Sequence, residues 1–526
     1  MKENTAEKGK SKGKEFAMSV FWEKLTKTEK LERLSGWILQ DDAVNPFTFF
    51  LKDNLTPDQY IEHRFRHMHS EYISAIIWDS GLESEAWQIY LKGTLPIRDV
   101  STICRWAADG VDFLEVLESE AHKRGKLALW NHRISEVDLP HPLNAETYSK
   151  PRNRHYCVNY LKRKHPEWVI PCWTEQGLWN LANPELRKHK VNVLREIAEN
   201  YRLDGFQLDF ARHTPCLPSG REWEYREHAT AFVREVRQML DKAVVKTGRP
   251  QLLLVRVGEN LEGNHQDGLE VERWITEEIV DAMILGGRTV NIDFEGFRNV
   301  PGSGKVKFFA SWDTHHTGKG MHKPPPEYLY GVMDNFVELG AAGVSLFNAT
   351  AEDHQPYFNM LDLPFRKESF QQERKEYRAE RRGEYPWAGN YLYRSDDKPL
   401  PMTCTPGCRA AIPLEIYSDA PGCKLSVMIE NLKPGAIRKL ELNGVEAVKT
   451  AFDPDRSDKG DSYVRKGDVP SYPAADYDIR HIPLKRGNNR VEIQFGACGS
   501  DEKFTIINVF IELDAVAQND KIASGR

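Results

Sequence analysis

Carboxylate side chains follow several short apolar segments of this sequence, and Asp209 is the clearest case. The segment from Tyr201 to His213 reads Y-R-L-D-G-F-Q-L-D-F-A-R-H, an apolar run that ends in an acidic residue. A parallel strand that is covered on both faces is almost continuously hydrophobic, and barrel enzymes carry catalytic groups where such strands end. We therefore predict that Asp209 lies in an active site. The alternative is a strand-end cap that binds backbone amides or pairs with Arg212.

Polar residues end three further predicted strands, so several functional groups would converge at one end of the fold. They are Asn131 and His132 after the third strand, Glu259 after the fifth and Asp313 after the seventh. Glycoside hydrolysis needs one acid to protonate the leaving oxygen and one carboxylate to attack the anomeric carbon or activate water. Neighbouring strands lie nearly 5 Å apart, which suits the spacing of about 5–5.5 Å in retaining enzymes. The sequence thus predicts Asp209 as nucleophile and Glu259 as general acid/base.

A supporting set would surround these two carboxylates. Asp313, beside Trp312, would bind sugar hydroxyls or stabilise charge, and His315 in the D-T-H-H run would hydrogen-bond to it. The other supporting groups are Asn131, His132 and Arg212. The D-T-H-H run also invites a metal interpretation, but the sequence has no H-E-x-x-H or comparable ligand pattern. We predict neither a metal nor a cofactor.

Aromatic and cationic side chains near the strand ends indicate how a sugar would be held. An aromatic ring can stack on a sugar face, although large aromatics are also common in barrel cores. The tryptophans at predicted strand ends are Trp78, Trp130 and Trp312. Guanidinium groups bind sulfate or carboxylate oxygens in bidentate fashion, so arginines here favour an anionic glycan unless they pair with Asp and Glu between strands. These arginines are Arg133, Arg212, Arg256 and Arg288.

The elements that must position these residues alternate between strand-like and helix-like segments from about Trp22 onward, as in a parallel α/β fold. Helices are predicted from Phe113 to Gly125 and from Pro184. This alternation favours a (β/α)8 TIM barrel over a doubly wound open sheet, because no G-x-G-x-x-G follows an early strand. The eight candidate strands lie near Trp37, Tyr72, Lys126, Asp204, Gln251, Asp281, Lys305 and Gly343.

The pattern changes in the last third of the chain, where period-two alternation between Gly, Pro and Asn turns predicts an antiparallel β-sandwich. This domain would bind carbohydrate or pack against the barrel as a stabilising module. The predicted organisation is a flexible tail (1–18), a catalytic barrel (19–365), a charged, solvated helix or linker (366–390), the β-sandwich (391–516) and a C-terminal tail (517–526).

Composition limits the class of protein. The chain has 526 residues, 40% hydrophobic and 29% charged, which is typical of soluble domains. A net charge of -6 gives no basic field for nucleic acid, and no apolar run approaches the roughly 18 residues of a membrane span. We expect a carbohydrate partner, no nucleic acid and no membrane, while the oligomeric state stays open. The start lacks a signal-peptide core, so a cytoplasmic location is the default, or a secreted or periplasmic one if a signal has been removed.

Three motifs resemble those of a known group of barrels. H-P-E-W at His165, L-A-N-P-E-L-R at Leu181 and Y-R-L-D-G-F-Q-L-D-F-A-R at Tyr201 resemble the glycosyl-hydrolase-like family 10 barrels over about residues 109 to 350. The order Asp209, Glu259, Asp313 is similar to that of α-amylase-type barrels, where it implies nucleophile, acid and third carboxylate. Those enzymes place Arg where this chain has Gln207. A further resemblance is to barrel endo-fucanases that act on sulfated algal polysaccharide.

These patterns lead to one prediction with two alternatives. We predict a glycoside hydrolase that cleaves a polysaccharide or oligosaccharide, neutral or anionic, by a retaining double displacement. The same carboxylates would also serve an inverting glycosidase. A barrel that binds carbohydrate without cleaving it is the alternative outside enzymes. The sugar, its linkage and endo or exo action are not fixed by the sequence.

Overall fold

Eight parallel strands close into a barrel in the order of the chain, each strand pairing with the one before it and the last with the first. The predicted (β/α)8 barrel is therefore confirmed, and each of the eight candidate strands is present. The strands are β1 (Gly36–Asp42), β2 (Ile73–Asp79), β3 (Leu127–Arg133), β4 (Gly205–Asp209), β5 (Leu252–Val257), β6 (Ala282–Leu285), β7 (Lys307–Asp313) and β8 (Gly343–Phe347).

The structure is a computed structural model. The residues it describes are 22, 24–42, 55–79, 88–97, 101–135, 160–172, 177–286, 289–313, 325–347, 355–371, 373–381, 399–458, 470–496 and 503–515. Within strands β1 and β7 the side chains of Asp42 and Asp313 lie outside the described part.

Helices cover the outside of the barrel between the strands. The two predicted helices are present: the first begins after Asp112, which caps it, and the second begins at Pro184 with Asn183 as its N-cap. The helices are α1 (Lys27–Arg33), α2 (Pro57–Phe65), α3 (Ser101–Ala108), α4 (Phe113–Lys123), α5 (Tyr160–Lys164), α6 (Pro184–Asn200), α7 (Arg226–Thr247), α8 (Leu261–Gln266), α9 (Val271–Thr276), α10 (Phe294–Arg298), α11 (Pro326–Glu338), α12 (Gln355–Leu361) and α13 (Lys367–Gln371).

Short elements complete this region. Val169–Ile170 and Leu178–Trp179 pair as a two-stranded antiparallel sheet between β3 and β4. Single 3-10 turns occupy Pro166–Trp168 and Ser303–Lys305.

Apolar side chains fill the amino-terminal half of the barrel interior. Aliphatic residues from alternate positions of the strands pack together there, and Trp22, Leu25 and Leu34 close the bottom. Such layers make a barrel a packed core rather than a pore. The interior becomes polar towards the carboxyl ends of the strands, which we call the mouth. The interior apolar residues include Ile38, Ala75, Ile77, Leu129, Leu254, Ile284 and Phe309.

The C-terminal region contains two antiparallel sheets. One has the order β9-β18-β12-β16-β15, with β10 also paired to β18, and the other has the order β11-β17-β13-β14. Side chains from both sheets belong to one buried cluster, an arrangement compatible with the predicted β-sandwich. The strands are β9 (Lys375–Arg378), β10 (Met402–Cys404), β11 (Arg409–Ile416), β12 (Gly422–Glu430), β13 (Ile437–Leu442), β14 (Val445–Glu446), β15 (Val448–Ser457), β16 (Ser471–Asp478), β17 (Gly487–Phe495) and β18 (Phe504–Leu513).

The charged segment predicted as a helix or linker is partly a strand of this C-terminal region. Strand β9 pairs with β18, and its Lys375 is buried with Nζ 2.7 Å from Oδ2 of Asp334 in α11. The Tyr377 hydroxyl donates to the same carboxylate at 2.9 Å. Charge-rich composition suggested a solvated segment, but these charges are paired at the contact with the barrel. In the described part of the chain, no helix has the length and apolar character needed to cross a bilayer.

Candidate active site

Side chains of the barrel strands alternate between the interior and the surrounding helices, as the pleat of a strand requires. On β3, Asn131 hydrogen-bonds within the interior, whereas Trp130 belongs to the core between strands and helices. The interior positions near the mouth on the first five strands are polar. They are Gln40, Asp79, Asn131, Arg133, Gln207, Asp209 and Arg256.

Asp209 is the last residue of β4 and lies inside the mouth. Its side chain is buried, with Oδ2 3.2 Å from Nη1 of Arg256 on the adjacent strand. The backbone N–H of Ala211 donates to Oδ1 at 3.1 Å. Gly205 is the first residue of β4. A Cβ at this position would stand 2.7 Å from the Leu252 carbonyl oxygen, so glycine here allows β4 and β5 to approach closely. Asp209 is thus fixed at both carboxylate oxygens.

Arg256 connects this carboxylate to the opposite wall of the barrel. Its Nε donates to Oγ of Ser311 on β7 at 3.3 Å, and its Cζ lies 5.4 Å from the ring centroid of Phe347, the last residue of β8. Arg212, which is half-buried, has its Cζ at the same 5.4 Å from that ring. A guanidinium at this distance makes a cation–π contact. The sequence offered Arg212 as partner for Asp209, but the ion pair found is with Arg256.

Glu259 follows the neighbouring strand on the same rim. Strands β4 and β5 are parallel, with Asp209 opposite Arg256 in register, and Glu259 lies three residues beyond Arg256. Its side chain is half-buried. Glu262, the nearest substitute in the sequence, is exposed in the first turn of α8. The two predicted catalytic carboxylates therefore follow adjacent strands at the mouth.

The backbone around Glu259 is held by one buried amide. Asn264 in α8 accepts from the Gly258 N–H at 2.9 Å and donates to the Asn260 carbonyl at 2.7 Å. The Asn260 side chain in turn caps α8 by accepting from Gly263 N at 2.7 Å. The Glu259 carbonyl accepts from Asp293 N at 2.9 Å. The backbone on both sides of Glu259 is therefore held in place.

Asp79 is a mouth residue that sequence reasoning missed. Its Oδ2 accepts from Nε of Arg133 at 2.6 Å and from Nδ2 of Asn131 at 2.7 Å, and both of its partners are buried. Gln207 continues this network by donating to Oδ1 of Asn131 at 2.7 Å. The sequence contains a signal that could have identified Asp79, because Trp78-Asp79 ends β2 in the same way as Trp312-Asp313 ends β7.

Acidic and basic side chains alternate around this part of the mouth, from Asp79 on β2 to Arg133 on β3, Asp209 on β4 and Arg256 on β5. Each carboxylate is balanced by an arginine from the next strand. This pairing follows the alternative that the sequence left open for Arg133 and Arg256, in which they neutralise Asp rather than bind an anionic glycan. Of the strand-end arginines, Arg288 lies outside the described residues.

The three tryptophans do not line the mouth, which corrects the stacking role expected for them. Trp78, Trp130 and Trp312 are 0%, 2% and 1% exposed and belong to the core between strands and helices. Each one directly precedes an interior position, so the pleat turns it outward. Trp78 packs on Phe65 of α2 and Trp312 on Tyr328 of α11, with ring centroids 5.4 and 6.0 Å apart.

His132 is also misplaced for a supporting role. It is fully buried, and its Nε2 lies 3.4 Å from Nζ of Lys190 in α6, on the helix side of β3. Asn131, its neighbour in sequence, faces the interior, where its amide binds Asp79 and Gln207. The expectation that both residues of the N-H pair reach the site is wrong for His132, because adjacent residues of a strand face opposite sides.

Two other predicted residues are described in part or not at all. The backbone of Asp313 pairs with Phe347 at the end of β7, which places it at the mouth, while its side chain lies outside the described residues. His315 and the rest of the D-T-H-H run after Asp313 lie outside them as well. Within the residues that the structure describes, no group of three or more His, Cys, Asp or Glu could hold a metal ion.

Comparison with known proteins gives matches only among solved structures. No family model matches the chain, and no curated protein does. The glycoside hydrolase domain of PgaB (BpsB) from Bordetella bronchiseptica is 11% identical, with a TM-score of 0.42 over 63% of this chain and 99% of that one. The α-amylase from Geobacillus thermoleovorans is 12% identical, with a TM-score of 0.36 over 92% and 99%.

A third structure is α-L-fucosidase isoenzyme 2 from Paenibacillus thiaminolyticus, 12% identical with a TM-score of 0.41 over 63% of this chain. The chain spans about half the length of this fucosidase, 48%. Likeness of this degree does not bear on what the chain does.

Proposed function

We propose that this protein is a glycoside hydrolase that cleaves a polysaccharide or oligosaccharide. The observation that carries the proposal is the placement of Asp209 and Glu259 after adjacent parallel strands at one rim of a closed barrel. Active sites of such barrels form at this rim from residues of several strand ends. Two carboxylates from neighbouring strands supply the acid and the nucleophile that glycoside cleavage needs.

In the proposed reaction Asp209 is the nucleophile. Its Oδ1 and Oδ2 are oriented by the Ala211 amide and by Arg256, whose positive charge balances that of the carboxylate. The carboxylate attacks the anomeric carbon while Glu259 donates its proton to the departing glycosidic oxygen. Glu259 then takes a proton from water, which attacks the glycosyl-enzyme ester and releases Asp209.

Several residues would contact the sugar around this pair. Asp313 is a candidate for binding hydroxyl groups, because its strand ends at the mouth. Asn131 is buried with its amide bound to Asp79 and Gln207, so its supporting role would be to orient Asp79 rather than to touch the sugar. Arg212, half-buried beside Phe347, is the candidate for a charged substituent. Arg133 and Arg256 already bind carboxylates, so their charge gives little support for an anionic substrate. A neutral sugar and an anionic one both belong in the first test.

The test incubates the full chain with one panel of neutral, uronate-bearing and sulfated polysaccharides. Hydrolysis is measured as the release of reducing ends. We expect activity on one class, and none on any class with D209N purified in parallel. NMR of the first-formed anomer then separates retention from inversion, because an inverting enzyme would use the same carboxylates with a water between them. Equal release by D209N would overturn the assignment of the nucleophile.

A second candidate is a barrel that binds glycan without cleaving it. One observation favours it: Asp209 is 1% exposed and its oxygens are occupied by Arg256 and a backbone amide, as for a structural ion pair. Calorimetric titration of the same panel separates the two. If the wild-type chain binds one glycan of the panel and hydrolyses none of them, the result favours the binding protein over the hydrolase.

A further inference from the structure

We propose that Glu380, in the C-terminal region, is a positioning residue for Glu259. The inference rests on the proposed function, in which Glu259 is the general acid/base. Glu380 is buried, and its Oε1 accepts two hydrogen bonds from the segment that follows β6 at the mouth. The donors are Oγ1 of Thr289 and the backbone N–H of Val290, both at 2.8 Å. We call residues 289–293 the rim segment.

The rim segment touches Glu259 at its other end. The backbone N–H of Asp293 donates to the Glu259 carbonyl at 2.9 Å. Between the two contacts, Asn291 N donates to Oγ1 of Thr289 at 3.1 Å, and Ile292 is buried in the core. The Asp293 side chain caps α10 by accepting from Gly296 N at 2.9 Å. One continuous path of hydrogen bonds and five residues of chain therefore joins Glu380 to Glu259.

The backbone on both sides of Glu380 is held by contacts within the C-terminal region. The next residue, Arg381, pairs with buried Asp458 at 2.7 Å, and Asp458 also accepts from Asn508 of β18 at 3.3 Å. The carbonyl of Glu380 accepts from Leu400 N at 3.2 Å. Strand β9 meanwhile docks on α11 through the Lys375–Asp334 pair. The C-terminal region thus holds a loop of the mouth in place.

The chemical consequence concerns proton transfer. Replacing Glu380 by Ala leaves the Thr289 hydroxyl and the Val290 amide without their acceptor, and buried donors of this kind are costly to leave unsatisfied. The rim segment would shift to find water, and the Glu259 carbonyl would lose its bond from the Asp293 amide, which is one of the contacts that fix this stretch of backbone. General acid catalysis depends on placing the proton within hydrogen-bond reach of the leaving oxygen. Reactions that need this proton should therefore suffer more than reactions that do not.

The experiment compares E380A and E380Q with E338A in the full chain. Gln retains an Oε1 that can accept both bonds, so E380Q should behave like wild type. Glu338, the last residue of α11, pairs with Lys367 and Arg486 across the same contact between barrel and C-terminal region, and neither partner belongs to the rim segment. E338A is therefore the control for a general weakening of that contact.

Hydrogen exchange of the Val290 and Asp293 amides is the first measurement. We expect faster exchange of both in E380A, with wild-type rates in E380Q and E338A and unchanged protection of strands β4 and β5. Unchanged exchange in E380A, or the same acceleration in E338A, would overturn the coupling. This measurement needs no substrate, so it tests the coupling even if the wild-type chain hydrolyses nothing in the panel and the proposed function fails.

Leaving-group dependence is the second measurement, with aryl glycosides of the sugar that the panel identifies. E380A should lower kcat/KM, which reports the step that forms the glycosyl-enzyme, by at least about tenfold on a phenyl glycoside, whose departure needs a proton, and little on a dinitrophenyl glycoside, whose departure does not. The comparison uses kcat/KM because Glu259 also acts as base in the hydrolysis of the glycosyl-enzyme, which affects kcat on both substrates. An equal loss on both substrates would show that Glu380 is merely structural, whether or not E380Q restores the two rates.

Discussion

Arg256 and Asp209 face each other inside the barrel mouth, with Nη1 of the guanidinium 3.2 Å from Oδ2 of the carboxylate and both side chains fully buried. Arg133 and Asp79 form a second such pair two strands earlier, at 2.6 Å. Removing one partner of a buried ion pair leaves the other charge uncompensated, which costs much more than the pair itself contributes. The residue proposed as nucleophile is therefore also one on which stability depends.

The first prediction concerns this ion pair. R256M should lower the free energy of unfolding by about 3–5 kcal/mol, because Met fills the space but leaves the Asp209 charge alone. The double variant R256M/D209N should cost less than the sum of the single variants, since it removes both charges. Urea denaturation, monitored by tryptophan fluorescence, measures the free energy of unfolding of each variant.

The control is K305A, which breaks an exposed pair with Glu278. It should change the free energy of unfolding by less than about 1 kcal/mol. Strict additivity of R256M and D209N would show that the two side chains do not interact.

The second prediction concerns pH. Asp204, at the amino-terminal end of β4, is buried between Nζ of Lys30 and Nε2 of His122, each 2.8 Å away. Burial acts to raise the pKa of Asp204, but the hydrogen bonds and positive charges of His122 and Lys30 outweigh it, so the pKa is lowered. A carboxyl whose pKa is lower in the folded state stabilises the protein above its unfolded pKa, about 3.9, and loses this contribution as pH falls through the folded value.

We therefore expect D204N to be less stable than wild type at pH 7, with the difference shrinking below pH about 4. Urea midpoints between pH 3 and 7 test this. D241N, which changes a mostly exposed Asp, should run parallel to wild type across the same range. A gap between D204N and wild type that does not depend on pH would contradict the assignment.

The third prediction tests the placement of the tryptophans. Because Trp312 packs on Tyr328 in the core, W312A should lower stability by about 3–5 kcal/mol, and the milder W312F should cost less. Neither should change affinity for the oligosaccharide that the panel identifies, as measured by calorimetry on folded protein. Loss of affinity in W312F with unchanged stability would restore the stacking role.

Much of the fold could be read from the sequence, because parallel strands are continuous apolar runs and α4 and α6 carry ordinary capping signals. The ends of β4 and β5 likewise located Asp209 and Glu259. What the sequence could not supply was the direction of each side chain, since a shift of one residue reverses it. For this reason the sequence pattern predicts His132 and Trp130 at the mouth, although both face the helices, and does not identify Asp79, which faces the interior.

Pairing was the other limit. Asp209 has Arg212 close in sequence, but its partner is Arg256, because strand register places Arg256 directly opposite. The charged composition around Lys375 predicts a solvated segment, yet the Lys375 side chain is buried against Asp334. Contacts between distant segments determine which charged side chains pair, and local composition carries no information about those contacts.

The decisive experiment for the proposed mechanism is the initial rate of glycan hydrolysis by wild type, D209N, E259Q and E262Q, measured side by side on the substrate that the panel identifies. We predict rates reduced by at least about a hundredfold in D209N and E259Q, with normal folding by circular dichroism, and a rate near that of wild type in E262Q, whose side chain is exposed beyond the mouth. Undiminished hydrolysis by D209N or E259Q would contradict the mechanism, and a loss confined to E262Q would transfer the acid/base role to Glu262.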